Sequence, residues 1–276
     1  MKNKHEAPLQ TAQNLPRIKT IALPTEHGGW GFILEPIVLG LLVAPSTPGV
    51  YLAIVGLSVF LARHPLRLVW NARQHRQQTT ERDRIAQRFI LLYIGIAALA
   101  FAAATATMPR IAMLPLVFAV PLGLVTLIYD IQRRSRALLP ELTGPAALGA
   151  LAPSIALAGG WALTPALALW VVILARAIPS VLYIRARLRL EKGQETSFTP
   201  TLSTHLAGLV ALGLLVHTGS LAVLTLIAPV VLLLRAAYGL SPYRRHPIKP
   251  QTLGFLEIGY GAMVVLVAAL AHTLSR

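Results

Sequence analysis

Arginines occur inside apolar segments of this chain, at positions where a charge is costly unless it has a partner. Arg63, Arg67 and Asn71 are spaced four residues apart, so a helix would place them on one face. Arg176 lies in the middle of another apolar segment. Guanidinium groups bind phosphate and carboxylate with paired hydrogen bonds. Because an ionisable residue inside a membrane-spanning segment indicates a functional site, this pattern predicts a site for an anion.

Eight residues form the candidate ligand-binding set: Arg63, Arg67, Asn71, His75, Arg133, Arg176, Arg185 and Arg187. Lipid contact and internal pairing are the two alternatives to a ligand. Basic residues near helix ends can reach lipid headgroups, and deep arginines can pair with glutamates. Glu35 is a candidate partner for Arg63. Alternatively, the deep glutamates Glu35 and Glu257 form buried ion pairs with two deep arginines, which are Arg176 and Arg235.

The balance of charges favours a ligand over complete internal pairing. The chain holds 25 Lys and Arg against 10 Asp and Glu. Some of the deep arginines are therefore expected to lack a carboxylate partner within the protein. A separate segment, 24–31, holds the candidate catalytic residues, Glu26 and His27, because a carboxylate beside an imidazole can move protons. Its alternative role is an interfacial anchor with Trp30 at headgroup level.

The elements that position these residues are expected to be membrane helices. The composition is 55% hydrophobic and 13% charged, with a mean hydropathy of +0.64, which is typical of a polytopic membrane protein. Nine apolar runs predict an all-α transmembrane bundle of about nine helices in a lipid bilayer. The runs are at about 28–45, 50–70, 86–107, 110–130, 143–161, 165–185, 202–217, 220–239 and 254–274.

Basic residues concentrate in alternate loops, which predicts an orientation. They lie in the N-terminal segment and in loops 71–88, 131–142, 186–201 and 240–253. The positive-inside rule places these segments in the cytoplasm, with the chain in the cell (inner or plasma) membrane. We expect residues 1–25 to form a cytoplasmic tail and residues 26–276 a single transmembrane domain. Because topology explains the net charge of +15, no nucleic-acid partner is expected.

This layout resembles the UbiA-type superfamily of intramembrane prenyltransferases. That family has an Asn-Asp-x-x-Asp motif after helix two, and here Asn71 matches the Asn while Ala72 and His75 replace the aspartates. The family's second Asp-rich motif falls on Arg185 and Arg187. Its Tyr–Lys–Arg–Pro loop after helix four is similar to Tyr129, Arg133, Arg134 and Pro140.

The departures from that family bear on the expected chemistry. In the family, aspartates hold Mg²⁺ on a prenyl diphosphate, and an aromatic acceptor is prenylated. Mg²⁺ requires clustered oxygen ligands, whereas Asp130, Glu141 and Glu191 are scattered along this chain. The chain also contains no Cys, which excludes thiolate metal sites. We therefore expect no metal, no cofactor and no Mg²⁺-dependent prenyl transfer.

The sequence Pro-x-Glu-His-Gly-x-Trp at residues 24–30 is similar to the YwiC-like family of bacterial membrane proteins. That resemblance implies a multi-pass membrane protein and does not by itself imply a reaction. Taken together, the sequence predicts a UbiA-like cavity that binds an anionic lipid or isoprenoid-like amphiphile through arginines on the cytoplasmic side. The alternatives are a small-anion transporter, a non-catalytic assembly factor, or a structural component whose charges are all paired internally.

Overall fold

A computed structural model describes residues 18–24, 27–74, 80–242 and 247–275. In these residues the chain forms eleven α-helices and no strand. The helices are α1 (Lys19–Ala22), α2 (His27–Val43), α3 (Thr47–Gln74), α4 (Glu81–Thr107), α5 (Leu114–Ile131), α6 (Leu138–Gly149), α7 (Leu151–Ala158), α8 (Leu163–Glu191), α9 (Thr199–His217), α10 (Ile227–Leu240) and α11 (Pro250–Leu274). Single 3₁₀ turns, Arg110–Met113 and Val223–Leu226, lead into α5 and α10.

Seven helical segments among the described residues are long and apolar enough to cross a membrane. They are α3, α4, α8, α9 and α11, and α5 and α10 together with their 3₁₀ turns. A shorter apolar helix covers Gly29–Val43, and α6 and α7 follow one another as two short helices. All nine predicted apolar runs coincide with helical segments. The all-α polytopic bundle predicted from the sequence is thereby confirmed.

Local sequence signals set several helix ends. At the start of α4, the Thr80 hydroxyl accepts a hydrogen bond from the Asp83 amide at 3.3 Å, and the Asp83 carboxylate accepts one from the Thr80 amide at 2.9 Å. This reciprocal pair is a capping box. Gly160, Gly193 and Gly219 follow α7, α8 and α9 with φ values of 90°, 69° and 72°. Glycine adopts this left-handed conformation without the steric cost that other residues meet, so it ends helices readily.

The short helix α7 forms the centre of the bundle, and all eight of its residues are buried. Glycines on the neighbouring helices allow them to approach it closely. A Cβ added at Gly40 would lie 2.8 Å from Ile155, and one at Gly56 would collide with Leu151. Small residues therefore set the spacing between α7 and both α2 and α3, as is usual for membrane helices.

The loops predicted to be basic meet at one end of the bundle. Arg133 Nε donates to Asn71 Oδ1 at 3.2 Å, which joins the α5–α6 loop to α3. Arg185 Nη1 donates to the carbonyl oxygen of Arg136 at 3.1 Å, which joins α8 to the same loop. We call this the basic end. The connections 159–162 and 219–222 border a common cavity at the opposite end.

Part of the predicted N-terminal tail packs on the basic end. Ile21 in α1 is fully buried in a small apolar cluster with Val69 and Ala86. His64 Nε2 donates to the Thr20 carbonyl oxygen at 3.1 Å. Residues 18–24 are thus attached to α3 and α4.

Candidate ligand-binding site

A cavity of about 620 Å³ opens at the basic end between α2, α3, α6, α8 and the α5–α6 loop. This volume lies within the usual range for small-molecule sites. Three arginines and one carboxylate contribute to its wall: Arg63, Arg136, Arg185 and Glu141. The apolar part of the wall is formed mainly by Phe32, Phe60, Pro140, Pro145, Leu148, Val181, Ile184 and Leu188. The cavity therefore places cations beside an apolar surface.

Arg63 is held in the wall by a buried carboxylate. Arg63 Nη2 donates to Asp130 Oδ1 at 2.9 Å, and Arg63 Nε donates to Asp130 Oδ2. The Asp130 side chain is 2% exposed, whereas that of Arg63 is 37% exposed. Asp130 thus fixes the position of the guanidinium, while part of the Arg63 side chain remains exposed. The predicted pairing of Arg63 with Glu35 is wrong, because Asp130 at the end of α5 takes that place.

Arg185 is oriented in a similar way on the other side of the cavity. Its Nη1 donates to Glu141 Oε2 at 2.5 Å as well as to the Arg136 carbonyl. The Arg185 and Glu141 side chains are 30% and 26% exposed. This pair joins α8 to α6 and lies within reach of a cavity ligand.

Three further candidate residues lie next to Arg63 or in the adjoining loop. Arg133 has a φ of 59°, a conformation that non-glycine residues seldom adopt, and its side chain bonds Asn71. Arg67 lines a small cleft of about 40 Å³ together with Arg63 and Asp130. Four of the predicted residues, on α3 and just after α5, are therefore neighbours.

Arg176 lies elsewhere, in a buried group of charges between four helices. We call Glu35, Arg176, Arg235 and Glu257 the charge cluster; they come from α2, α8, α10 and α11. Arg176 Nη2 lies 2.8 Å from Glu35 Oε1 and donates to the Glu257 carbonyl at 2.7 Å. Arg235 Nη1 donates to Glu257 Oε1. The predicted alternative of buried ion pairs is therefore confirmed. Glu35 pairs with Arg176, and Glu257 pairs with Arg235 and Arg176.

Aromatic rings complete the surroundings of these two arginines. The Arg235 guanidinium lies 4.2 Å from the ring centroid of Tyr183 and 4.6 Å from that of Tyr260. Arg176 lies 5.2 Å from the ring centroid of Phe32. Cation–π contacts of this kind stabilise a buried guanidinium without adding charge.

Arg187 is also buried, on a side of α8 that faces α10. Its Nη2 lies 2.8 Å from Glu191 Oε1, one turn along the same helix, and its Nη1 donates to the Gly239 carbonyl. Of the other predicted site residues, Glu26 and His75 lie outside the described residues. His27 begins α2, two residues before Gly29, which borders the large cavity.

The eight candidate ligand-binding residues did not include Arg136 or the carboxylates that hold the cavity arginines. Asp130 and Glu141 were considered only as metal ligands. No group of three or more metal-binding side chains occurs in the described parts of the chain. The scarcity of acidic residues could have indicated these pairs. In a chain with so few acidic residues, each deep carboxylate is expected to have a cationic partner.

One glycine packs directly against the charge cluster and provides a test of its tightness. A Cβ added at Gly261 would collide with the Glu35 carboxylate and would lie 2.9 Å from Arg176 Nη2. We expect Gly261→Ala to lower the free energy of unfolding by about 1–3 kcal/mol, as overpacking commonly does. Thermal unfolding in detergent, followed by tryptophan fluorescence, measures this loss.

Gly259 on the same helix is the matched control, since an added Cβ there would meet nothing within 4 Å. Gly259→Ala should leave stability unchanged or raise it, because alanine favours the helix. Equal stability of the two variants would contradict close packing around Glu35.

The helices and their apolar surfaces define the class: the chain is a multi-pass helical membrane protein. Residues 23–156 match the family described as YwiC-like protein. The match covers α2 to α6 and most of α7, and confirms for this part of the chain the similarity indicated by residues 24–30. No curated protein and no solved structure matches the chain. The UbiA-like layout stays a prediction.

Proposed function

We propose that the protein binds an anionic amphiphile in the basic-end cavity. The arginines hold a phosphate or carboxylate head, and the apolar wall holds a lipid or isoprenoid chain. The observation that supports this most directly is the combination of Arg63, Arg136 and Arg185 with an apolar surface in a cavity of about 620 Å³. The concentration of basic loops at this end supports its placement on the cytoplasmic side of the cell membrane.

The ion pair of Arg185 leaves donors for a ligand. Arg185 uses the same nitrogen, Nη1, for Glu141 and for the Arg136 carbonyl. A guanidinium carries five N–H donors, so Nε and Nη2 are not consumed by these two bonds. Arg63 presents a 37% exposed side chain to the same space. Both arginines are thus positioned by carboxylates, and Arg185 can still donate to an anion.

The balance of charges around the cavity makes Arg136 the most informative residue for testing anion binding. Glu141 is balanced by Arg185, and Asp130 by Arg63. Arg136 therefore supplies the surplus positive charge among these five residues. A net cationic wall attracts a negative head, whereas a fully balanced wall would not.

Removal of that surplus charge should weaken binding of a defined probe. We expect Arg136→Gln to raise the Kd for dodecyl phosphate by about tenfold or more, because a hydrogen bond to a charged group contributes about 1.5–3 kcal/mol. Equilibrium binding of radiolabelled dodecyl phosphate to protein in lipid nanodiscs measures the Kd. Inorganic phosphate serves as the probe for headgroup binding without an apolar chain.

Arg134→Gln is the matched control, since Arg134 is an exposed residue of the same loop. It removes the same charge and should leave the Kd within about twofold of the wild-type value, since surface charges are screened by salt. An equal loss in both variants would attribute binding to general surface charge. Saturable binding of inorganic phosphate with the same affinity as dodecyl phosphate would exclude a role for the apolar wall.

The remaining predicted residues extend this proposal. Arg67, Asn71 and Arg133 lie near the cavity mouth, where they would guide an anion inward. Glu26 and His27 stand just before Gly29, and we propose them as the acid–base pair if bound ligand is turned over. Arg176 and Arg187 have ion-pair partners away from the wall.

A second cavity favours transport as the alternative function. It has a volume of about 520 Å³ and lies at the opposite end, where it is bordered by Trp161, Ser220, Thr225 and His272. Cavities at both ends, with charged residues between them, are compatible with alternating access, in which a central site opens to one side at a time. Uptake of a radiolabelled organic anion into proteoliposomes would support a transporter, and binding without uptake would support the first proposal. A purely structural role fits the paired deep charges but not the polar cavity.

A further inference from the structure

The charge cluster has features that a purely structural ion-pair network would not be expected to keep. All four residues lie at membrane depth, and Glu35, Arg176 and Glu257 are at most 7% exposed. Removing charges from water is costly, and well-packed apolar residues often serve stability equally well. A cluster of this kind inside a membrane protein is by default functional.

Hydrogen bonding in the cluster is incomplete. Within the described parts of the chain, five buried side-chain atoms of the cluster lack a hydrogen-bond partner: Glu35 Oε1, Arg176 Nε, Arg176 Nη1, Arg235 Nε and Glu257 Oε2. Glu35 Oε1 lies 2.8 Å from Arg176 Nη2, yet the angles do not make a hydrogen bond. A half-satisfied polar network costs more than an apolar core, so its retention points to a changing state of charge.

The cluster lies between the two large cavities. Phe32 borders the basic-end cavity and also packs against the Arg176 guanidinium. On the other side, Arg176 and Thr225 border a small cavity of about 10 Å³, which is close to the space that one water molecule needs. Thr225 also borders the cavity of the opposite end. The cluster is therefore separated from the basic-end cavity by Phe32, and Thr225 lies between it and the cavity of the opposite end.

Two helices around the cluster contain an internal proline, which leaves a backbone carbonyl without its usual helical donor. Pro36 directly follows Glu35 in α2, and Pro179 follows Arg176 by three residues in α8. Proline removes the amide that would bond the carbonyl four residues earlier, which in α2 is that of Phe32. Irregular backbone at membrane depth is tolerated where it borders a cavity or a site.

We propose that the charge cluster is a buried proton-binding site in which Glu35 takes up the proton. Arginine cannot be deprotonated in a protein, so only the carboxyls can change the charge of the cluster. Glu257 contacts both arginines, whereas Glu35 contacts Arg176 alone. Glu35 is therefore the carboxylate less compensated by positive charge and the one on which the proton resides.

Two charged groups act on Glu35 directly, Arg176 of α8 and Glu257 of α11. Tyr183 of α8 and Tyr260 of α11 lie against Arg235 of α10, which pairs with Glu257. His205 of α9 lies within electrostatic range of Arg235. With both glutamates ionised, the two arginines and two glutamates sum to zero. Proton uptake by Glu35 raises this sum to +1 and leaves Arg176 with Glu257 as its remaining partner.

Proton uptake would also strengthen anion binding at the basic end, a consequence that rests on the proposed function. Phe32 places the Arg176 charge directly behind the cavity wall. An added positive charge there attracts the anionic head, and by linkage the anion favours the protonated state to the same extent. The two ligands should therefore bind cooperatively.

Infrared difference spectroscopy on the protein alone tests the proton site. Wild-type protein in nanodiscs should show a high-frequency carboxylic acid carbonyl band, shielded from water, that is present at mildly acidic pH and lost as the pH rises. The band should be absent in Glu35→Gln and unchanged in Glu195→Gln, an exposed control. Absence of a titrating band in the wild type, or its loss only in Glu257→Gln, would overturn the proposal. If Glu35→Gln does not fold, Glu35→Asp, which keeps a carboxyl, should shift the frequency of the band, and an unshifted band would overturn the assignment to Glu35.

Binding of a permanently charged alkyl sulfonate tests the coupling. Its Kd should rise about fivefold or more between the protonated and ionised states of the wild type. Glu35→Gln, which mimics the protonated state, should bind tightly at both pH values. A pH-independent Kd in the wild type would overturn the coupling. Absence of sulfonate and phosphate binding would refute the proposed function, while the infrared result would still decide the proton site.

Discussion

Replacement of Arg176 by methionine is expected to lower the free energy of unfolding by about 3–5 kcal/mol. The side chain is 3% exposed, and its removal leaves the Glu35 carboxylate buried without a cationic partner. Methionine preserves much of the apolar stem, so the loss reflects charge more than volume. Thermal unfolding of the purified protein in dodecyl maltoside, followed by tryptophan fluorescence, measures the change.

The double variant Arg176→Met/Glu35→Met distinguishes lost pairing from lost packing. Removing both charges should recover most of the stability, because an apolar pair of similar volume often replaces a buried ion pair without loss. Arg110→Met, at an exposed position near the opposite end, should change stability by less than about 0.5 kcal/mol. A double variant as unstable as the sum of both single variants would show that the two charges act independently.

Arg63→Met should have a similarly large effect at the basic end. It leaves the Asp130 carboxylate, whose side chain is 2% exposed, without the two hydrogen bonds that compensate its charge. We expect a loss of about 3–5 kcal/mol by the same measurement. Loss of dodecyl phosphate binding should accompany it, because Arg63 also lines the cavity.

Arg73→Met provides the control on the same helix, since Arg73 is exposed near its end. Its stability and its Kd for dodecyl phosphate should stay near the wild-type values. Asp130→Asn separates the two roles of Arg63, because it removes the charge that positions the guanidinium and keeps the guanidinium itself. If Asp130→Asn abolished binding as completely as Arg63→Met, the positioning of Arg63 by Asp130 would be essential for the site.

The helical architecture was predictable because apolar length is a direct physical requirement of a bilayer. The prediction was less accurate for the one apolar run that does not form a single membrane-spanning helix. The predicted run 143–161 is divided into α6 and α7, and α7 is buried on all sides rather than facing lipid. A short helix surrounded by protein has the same composition as a lipid-facing one, so hydropathy does not distinguish them.

The positions of the deep charges were predictable, but their partners were not. Arg63 and Arg176 stood out because charges are rare in apolar runs. Which carboxylate each one meets depends on how distant segments pack: Asp130 follows Arg63 by 67 residues and Glu257 follows Arg176 by 81. The excess of arginine over acid suggested cations without partners, yet the deepest arginines are paired. Because so few carboxylates are present, nearly all of those within the bundle are used.

Arg136 illustrates the limit of reading a loop from sequence. It lies in a basic segment for which topology charge and a ligand role were both open. In the structure this segment borders the cavity. Arg136 is one of the lining residues, whereas Arg134 is not. The difference depends on the local backbone, including the left-handed conformation of Arg133, which residue type alone does not predict.

Anionic amphiphile binding at the basic end is tested most directly by a structure of the protein with an alkyl phosphate that carries a terminal bromine. We predict phosphate density within hydrogen-bonding distance of Arg63, Arg136 or Arg185, and an anomalous bromine signal against Phe32, Phe60 or Leu148. Bromine and phosphate located only on the lipid-facing surface, with the cavity unchanged at saturating probe, would contradict the proposed function.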